Sequence, residues 1–123
     1  MKVFNESLIS DPISLASDYQ SQAINLNNII NYSIQLVFTG TPTGTFKLQC
    51  SNDKGKTALP NLIDQSNTVV NWTDMTGSSQ PITEGGDHTW TVENTGYAWV
   101  RFIYAAISGT GTLTTARITV KGA

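Results

Sequence analysis

The chain has 123 residues, 39% of them hydrophobic and 13% charged, and its 9 acidic and 7 basic residues leave a formal net charge of -2. That length fits one domain, large enough to bury about two thirds of the surface its unfolded chain exposes. Nucleic-acid binding and polybasic membrane attachment both draw affinity from clustered Lys and Arg, which are scattered here, and the single Cys50 excludes an intramolecular disulfide.

Residues 1–30 are irregular, with Leu8, Ile9, Ile13, Leu15, Ile24, Leu26, Ile29 and Ile30 separated by Ser, Asn and Asp. They read as an extended arm or edge strand ahead of a β-sandwich domain over residues 31–123, with Ser21–Leu26 as a short strand and Asn27-Asn28 as a turn. Met1-Lys-Val-Phe-Asn-Glu6 makes a poor secretory signal, and no stretch approaches the roughly 20 apolar residues that span a bilayer, so a soluble chain made in the cytoplasm is expected, without membrane insertion.

From Ile34 the pattern is regular. Ile34, Leu36 and Phe38 share one face of an alternating strand, and Phe46, Leu48 and Cys50 share one face of the next, with Lys47 and Gln49 turned away. Gly40-Thr-Pro-Thr-Gly44 between them predicts a β-hairpin. Ser51–Asn71 is long enough to be a functional loop or a hairpin insertion. Short strands follow at Asn71–Met75 and His88–Val92, separated by the polar loop Gly77–Asp87. A second hairpin is predicted at Trp99–Ala105, Ser108-Gly-Thr-Gly-Thr112 and Leu113–Val120. Large apolar side chains on both faces of Trp99–Ala105 predict a central strand. About seven or eight strands and no helical period give an all-β fold, an antiparallel β-sandwich on the jelly-roll plan.

Reactive chemistry is sparse in this sequence. His88 alternates onto the face of Trp90, which suits a structural imidazole better than a general base. Glu84 and Asp87 share a Gly-rich loop and read as solvating residues before a glycosidase pair. Asp53 and Asp64 lack the alternating acidic ligands of a calcium loop, and one Cys with one His does not make a zinc site. The expectation is a non-enzymatic protein with no catalytic residues, no metal and no cofactor.

The aromatic residues carry the binding argument. Trp90 and Trp99 fit strand alternation and are expected between the sheets, whereas Trp72 and Tyr97 border loops. Rings beside Asn, Asp or Arg suit stacking on sugar C–H faces, with polar neighbours fixing hydroxyls, so Trp72, Asp74, Tyr97, Asn94 and Glu84 are the candidate binding residues.

Gln35–Gln49 with its Thr-Gly-Thr-Pro-Thr-Gly turn, Ser51-Asn-Asp53, Asn71-Trp-Thr-Asp74, Val100–Tyr104, Ser108–Leu113 and Lys121-Gly122 together resemble small β-sandwich proteins of bacteriophages. The resemblance covers about residues 33–123. It implies a virion-associated structural protein, in a decoration, spike or fibre position, that forms a homo-oligomer and contacts other virion proteins. A less complete resemblance is to discoidin-like carbohydrate-binding domains, whose Ser-Asn-Asp-Gly turn is followed closely by Trp. Here Lys54 precedes Gly55, and an insertion separates the turn from Trp72. That resemblance implies binding to a host-surface glycan.

Overall fold

The computed structural model describes residues 3–26, 29–52, 63–64, 71–93 and 95–122. Among these the chain forms twelve strands and no helix: β1 (Val3–Ser7), β2 (Ile13–Ser14), β3 (Tyr19–Gln20), β4 (Ala23–Asn25), β5 (Ile29–Gly40), β6 (Thr43–Ser51), β7 (Ile63–Asp64), β8 (Thr73–Asp74), β9 (Gln80–Ile82), β10 (Gly86–Val92), β11 (Trp99–Ser108) and β12 (Gly111–Gly122). Two antiparallel sheets face each other as a β-sandwich. The first has the order β1-β12-β5-β10 with β2 added to β12, and the second β7-β4-β11-β6-β8 with β3 on β11 and β9 on β6.

Alternation along the long strands builds the core. Tyr32, Ile34, Leu36 and Phe38 of β5 and Ala116, Ile118 and Val120 of β12 point inward from the first sheet, meeting Phe46 and Leu48 of β6 and Val100, Phe102 and Tyr104 of β11. Each buried Leu, Ile, Val or Phe side chain contributes roughly 1.5–3 kcal/mol over its exposed state. Phe38 and Phe46 bridge the sheets at a ring-centroid distance of 5.3 Å, and Phe46 continues to Tyr104 at 4.7 Å. β11 is central, as its two apolar faces predict.

Neither expected hairpin forms. β5 and β6 lie in different sheets, as do β11 and β12, so each Thr/Gly turn carries the chain across the sandwich as an arch. The ladders run between the arches instead, β5 with β12 and β6 with β11. The physical reason is that each turn joins two strands with one wholly apolar face. Lying side by side would leave both faces needing a cover, whereas folding over sets them against each other. The tips then interlock, with the Thr41 amide donating to the Thr110 carbonyl at 2.8 Å. Gly109, at φ +80°, and Gly111 sit so close to the other arch that a Cβ on either would lie 2.2 and 2.4 Å from the carbonyl oxygens of Thr41 and Thr39.

Two buried serines complete ladders where short strands stop. The Ser21 amide donates to the Phe102 carbonyl, and its Oγ accepts the Phe102 amide hydrogen at 3.0 Å. Between β8 and β9, Ser78 Oγ accepts from the Leu48 amide at 3.0 Å. The residues ahead of β5 enter both sheets: β1 pairs along β12 as an edge strand, while β3 and β4 add to β11.

Candidate functional site

The outer face of the second sheet is built by the residues that alternate away from the core. On β6 these include Lys47 and Gln49, and on β11 Trp99, Arg101 and Ile103, with Gln49 directly opposite Arg101. β8 then sets Asp74 beside Gln49 on the other side. A row of side-chain bonds crosses the three strands. Arg101 Nε donates to Gln49 Oε1 at 2.8 Å, Gln49 Nε2 donates to Asp74 Oδ1 at 2.7 Å, and Lys47 Nζ donates to Asp74 Oδ2 at 2.8 Å.

Trp72, just before β8, covers one end of this row. Its ring lies 4.4 Å from the Arg101 guanidinium carbon, within range of a cation–π contact. Beneath it Trp99 is buried at 2% exposure, forming with Ala23 a cluster apart from the main core against which Trp72 and Ala98 pack. Trp99 therefore does not fill the space between the sheets as expected. Its odd register with Arg101 turns it to the outer face, while Trp90 enters the main core and donates its indole hydrogen to the Ser78 carbonyl at 2.9 Å.

The electrostatics follow from this arrangement. The hydrogen bond from Lys47, then that from Gln49, holds the Asp74 carboxyl below its ordinary pKa. Partial burial lowers that of Arg101. Asp74 is thus fixed as a carboxylate with its two oxygens oriented, and Arg101 presents a half-buried planar cation under an indole.

The candidate residues fall in different places. Trp72 and Asp74 are brought together on the outer face. Tyr97 lies in the β10–β11 connection at the same end of the sandwich, its hydroxyl 2.5 Å from that of Tyr32 and 3.3 Å from Met75 Sδ. Burial raises the pKa of both phenols. Asn94 lies outside the described residues. Glu84 is exposed in the β9–β10 turn at the opposite end, where the Gly85 amide donates to the Gly40 carbonyl. The advance of six residue steps along β6 from the Gly44–Ile82 pair to the Cys50–Thr73 pair puts about 20 Å between Glu84 and Trp72.

Lys47, Gln49 and Arg101 complete the row without having been marked as binding residues. Their alternation away from the core was visible in sequence. Their juxtaposition was not, because it depends on β6 pairing with β11.

His88 packs edge-on against Trp90, with ring centroids 4.8 Å apart. Cys50 is half-buried, and burial pushes its thiol pKa up. Asp53 lies outside the described residues, and among those described no three His, Cys, Asp or Glu side chains gather as a metal site. No helix there is long and apolar enough to cross a membrane. A shallow cleft of about 220 Å³ opens on the other sheet between the β1–β2 loop and β12, lined by Ser7, Asp11, Thr114 and Arg117 among others, away from the Trp72 row.

These features define an all-β sandwich with an aromatic and polar outer face. No protein-family model matches the sequence, and no curated protein matches it. Among solved structures, the fold is similar to that of the SPBc2 prophage-derived protein YomS, at 14% identity and a TM-score of 0.54, over 97% of this chain and 92% of that one. A second similar structure is the C-terminal CBM6 of LamC, a marine laminarinase from Zobellia galactanivorans, at 14% identity and a TM-score of 0.48, over 96% and 99% of the two chains. A prophage-derived protein is one of the two kinds of protein that the sequence motifs resemble, and at 14% identity the likeness is one of fold.

Proposed function

We propose that this chain is a non-enzymatic bacteriophage structural protein, a virion-associated sandwich that assembles with copies of itself and contacts neighbouring virion proteins. The observation that carries this reading is the fold shared with a prophage-derived protein along nearly the whole length of both chains. The surface chemistry supports it. Only 13% of the residues are charged, and a polar composition carried by Thr, Ser, Asn and Gln suits wet, hydrogen-bonded contacts that symmetry multiplies into avidity. The interlocked arches give the rigid body that such a lattice needs. Antibody labelling of purified particles encoding the chain tests this reading, with electron microscopy as the readout. Label at a fixed position on the particle is expected, and particles free of the chain overturn the assignment.

A second reading, as a host-glycan binding module, is favoured by one specific observation: Trp72 lies over Arg101 at the end of the oriented Gln49–Asp74–Lys47 row. An aromatic ring beside fixed donors and acceptors is what a sugar ring and its hydroxyls require. A glycan array probed with the wild-type chain tests it, and binding to no sugar rejects it. Both readings hold together if the virion protein itself contacts a host surface.

A further inference from the structure

Among the described residues the first sheet ends on β10, and backbone parity shows what that edge presents. The Ala116 carbonyl accepts the Leu8 amide hydrogen at 2.7 Å, so even-numbered residues in this stretch of β12 face β1 and odd-numbered ones face β5. Successive residues of a strand point their N–H and C=O to alternate sides. Thr115, Arg117 and Thr119 therefore bond Val37, Gln35 and Ser33 of β5, which leaves Leu36 and Ile34 facing His88 and Trp90 of β10. On β10 itself, Asp87, Thr89 and Thr91 direct their N–H and C=O groups outward, and all three residues are exposed.

Among the described residues this edge carries one charged side chain, Asp87, and little else of the usual protection. Natural sheets blunt their edges with Pro, Lys, bulges or very short strands. β10 contains no Pro, Lys or Arg, and its register on β5 runs from Gly86 to Val92 without a shift, whereas the β5–β12 ladder contains two shifts and the β6–β11 ladder one. It is seven residues long. The outermost strands elsewhere are β1 with five and β7 and β8 with two each.

We propose that β10 is a homodimer interface, pairing antiparallel with β10 of a second copy around a two-fold axis at Thr89. The sequence of the strand is self-complementary in that register. An antiparallel two-fold sets residues of equal parity opposite each other, and only an axis at Thr89 overlaps all seven residues. It places Asp87 opposite Thr91 of the partner subunit, so no like charges meet, and His88 opposite Trp90 of the partner subunit, the two ring types that already pack edge-on within one chain. The outward groups of Asp87, Thr89 and Thr91 then form about six backbone hydrogen bonds between the copies. The β1-β12-β5-β10 path of each copy continues into the other as one sheet.

This interface rests on the reading of the chain as a self-assembling virion protein. Analytical ultracentrifugation of the full chain up to millimolar concentration tests both. Thr89→Pro removes an outward N–H without touching a bond to β5, at an edge position that tolerates proline, and is expected to weaken the dimer about tenfold or more. Thr89→Lys sets two like charges against each other on the axis and is expected to weaken it in a way that added salt relieves, while Asp87→Lys, facing Thr91 of the partner subunit, leaves dimerisation in place. Circular dichroism confirms folding of each variant, and Thr89→Lys decides the matter if Thr89→Pro does not fold. A wild-type oligomer that both Thr89 variants leave intact overturns the edge pairing and leaves assembly standing. A wild-type monomer at every concentration overturns both.

Discussion

The hydroxyls of Tyr32 and Tyr97 lie 2.5 Å apart, tying β5 of the first sheet to the connection that feeds β11 of the second. Tyr32 is 2% exposed, and burial, followed by the hydrogen bond to Tyr97, raises its pKa far beyond the ordinary tyrosine range. Met75 Sδ, a poor acceptor, is the further neighbour of both oxygens. Tyr97→Phe therefore leaves the Tyr32 hydroxyl with a thioether in place of a phenol and is expected to cost about 1–2 kcal/mol in urea unfolding. Tyr32→Phe and Tyr97→Phe combined should cost less than the sum of the two. Additivity to within about 0.3 kcal/mol would show that the pair is not coupled.

Ser78→Ala and Ser21→Ala each strand a buried backbone amide. Ser78 Oγ is the acceptor for the Leu48 amide and Ser21 Oγ for that of Phe102. Each substitution should cost about 1–3 kcal/mol, far more than an exposed Ser→Ala change. Hydrogen exchange at Leu48 or Phe102 locates the effect. Unchanged protection of both amides would show that the serines do not complete the ladder.

The glycines separate backbone strain from close approach. Gly96 has nothing within 4 Å of a built Cβ and no positive φ, so Gly96→Ala is expected to be neutral or slightly stabilising. Gly77 also has open space but sits at φ +80°, and Gly77→Ala should cost about 1–2 kcal/mol. Gly109 combines φ +80° with a Cβ position 2.2 Å from the Thr41 carbonyl oxygen, which cannot yield without parting the two arches. Gly109→Ala should exceed Gly77→Ala by at least about 1 kcal/mol in the denaturation midpoint analysis. Equal costs at the two sites would mean that the tips do not interlock.

Those same glycines mark where sequence reading succeeds and where it stops. The inward sets Ile34, Leu36, Phe38 and Val100, Phe102, Tyr104 are legible because alternation is a property of one strand. A sandwich follows from them. Partner choice is not legible, because a Gly-rich turn between two amphipathic strands serves a hairpin or an arch, and contacts between Gly109 and Thr41 decide it across 68 residues of chain. The candidate site inherits this limit. Trp72 and Asp74 are close in sequence and could be grouped, whereas the row through Gln49 to Arg101 exists only because β6 and β11 pair.

Two ionisable groups give the fold distinct acid responses. Burial lowers the His88 pKa below 6.5, so the native state resists a proton that the unfolded chain accepts. Stability falls as pH drops through about 6.5 and the loss levels off below the folded pKa. His88→Gln should flatten this limb. Asp74 is lowered below 3.8 chiefly by its bond to Lys47, so its contribution is present above about pH 4 and is lost as pH falls through the folded value. With the carboxylate exposed that contribution is small, and Lys47→Met, which leaves the Gln49 bond to Asp74 in place, should shrink only the lower limb. Chemical denaturation from about pH 3 to pH 8 resolves the two windows. A single transition shared by both variants would assign the acid response elsewhere.

The glycan reading makes a spatial prediction about residues that sequence alone grouped together. Trp72 and Asp74 share the outer face, whereas Glu84 lies about 20 Å away at the other end of β6. For any sugar that binds, Trp72→Ala should lower affinity tenfold or more, since truncating an aromatic anchor of a binding surface costs about 2 kcal/mol or more. Asp74→Asn keeps the shape but removes the acceptor charge from the Gln49 and Lys47 bonds, and a smaller loss of about threefold to tenfold is expected. Arg101→Lys retains the charge without the planar group under the Trp72 ring and should fall between these two. Glu84→Gln should change nothing. Titration calorimetry of the four variants decides the matter, because binding that responds to Glu84→Gln as strongly as to Trp72→Ala cannot come from one site on this face.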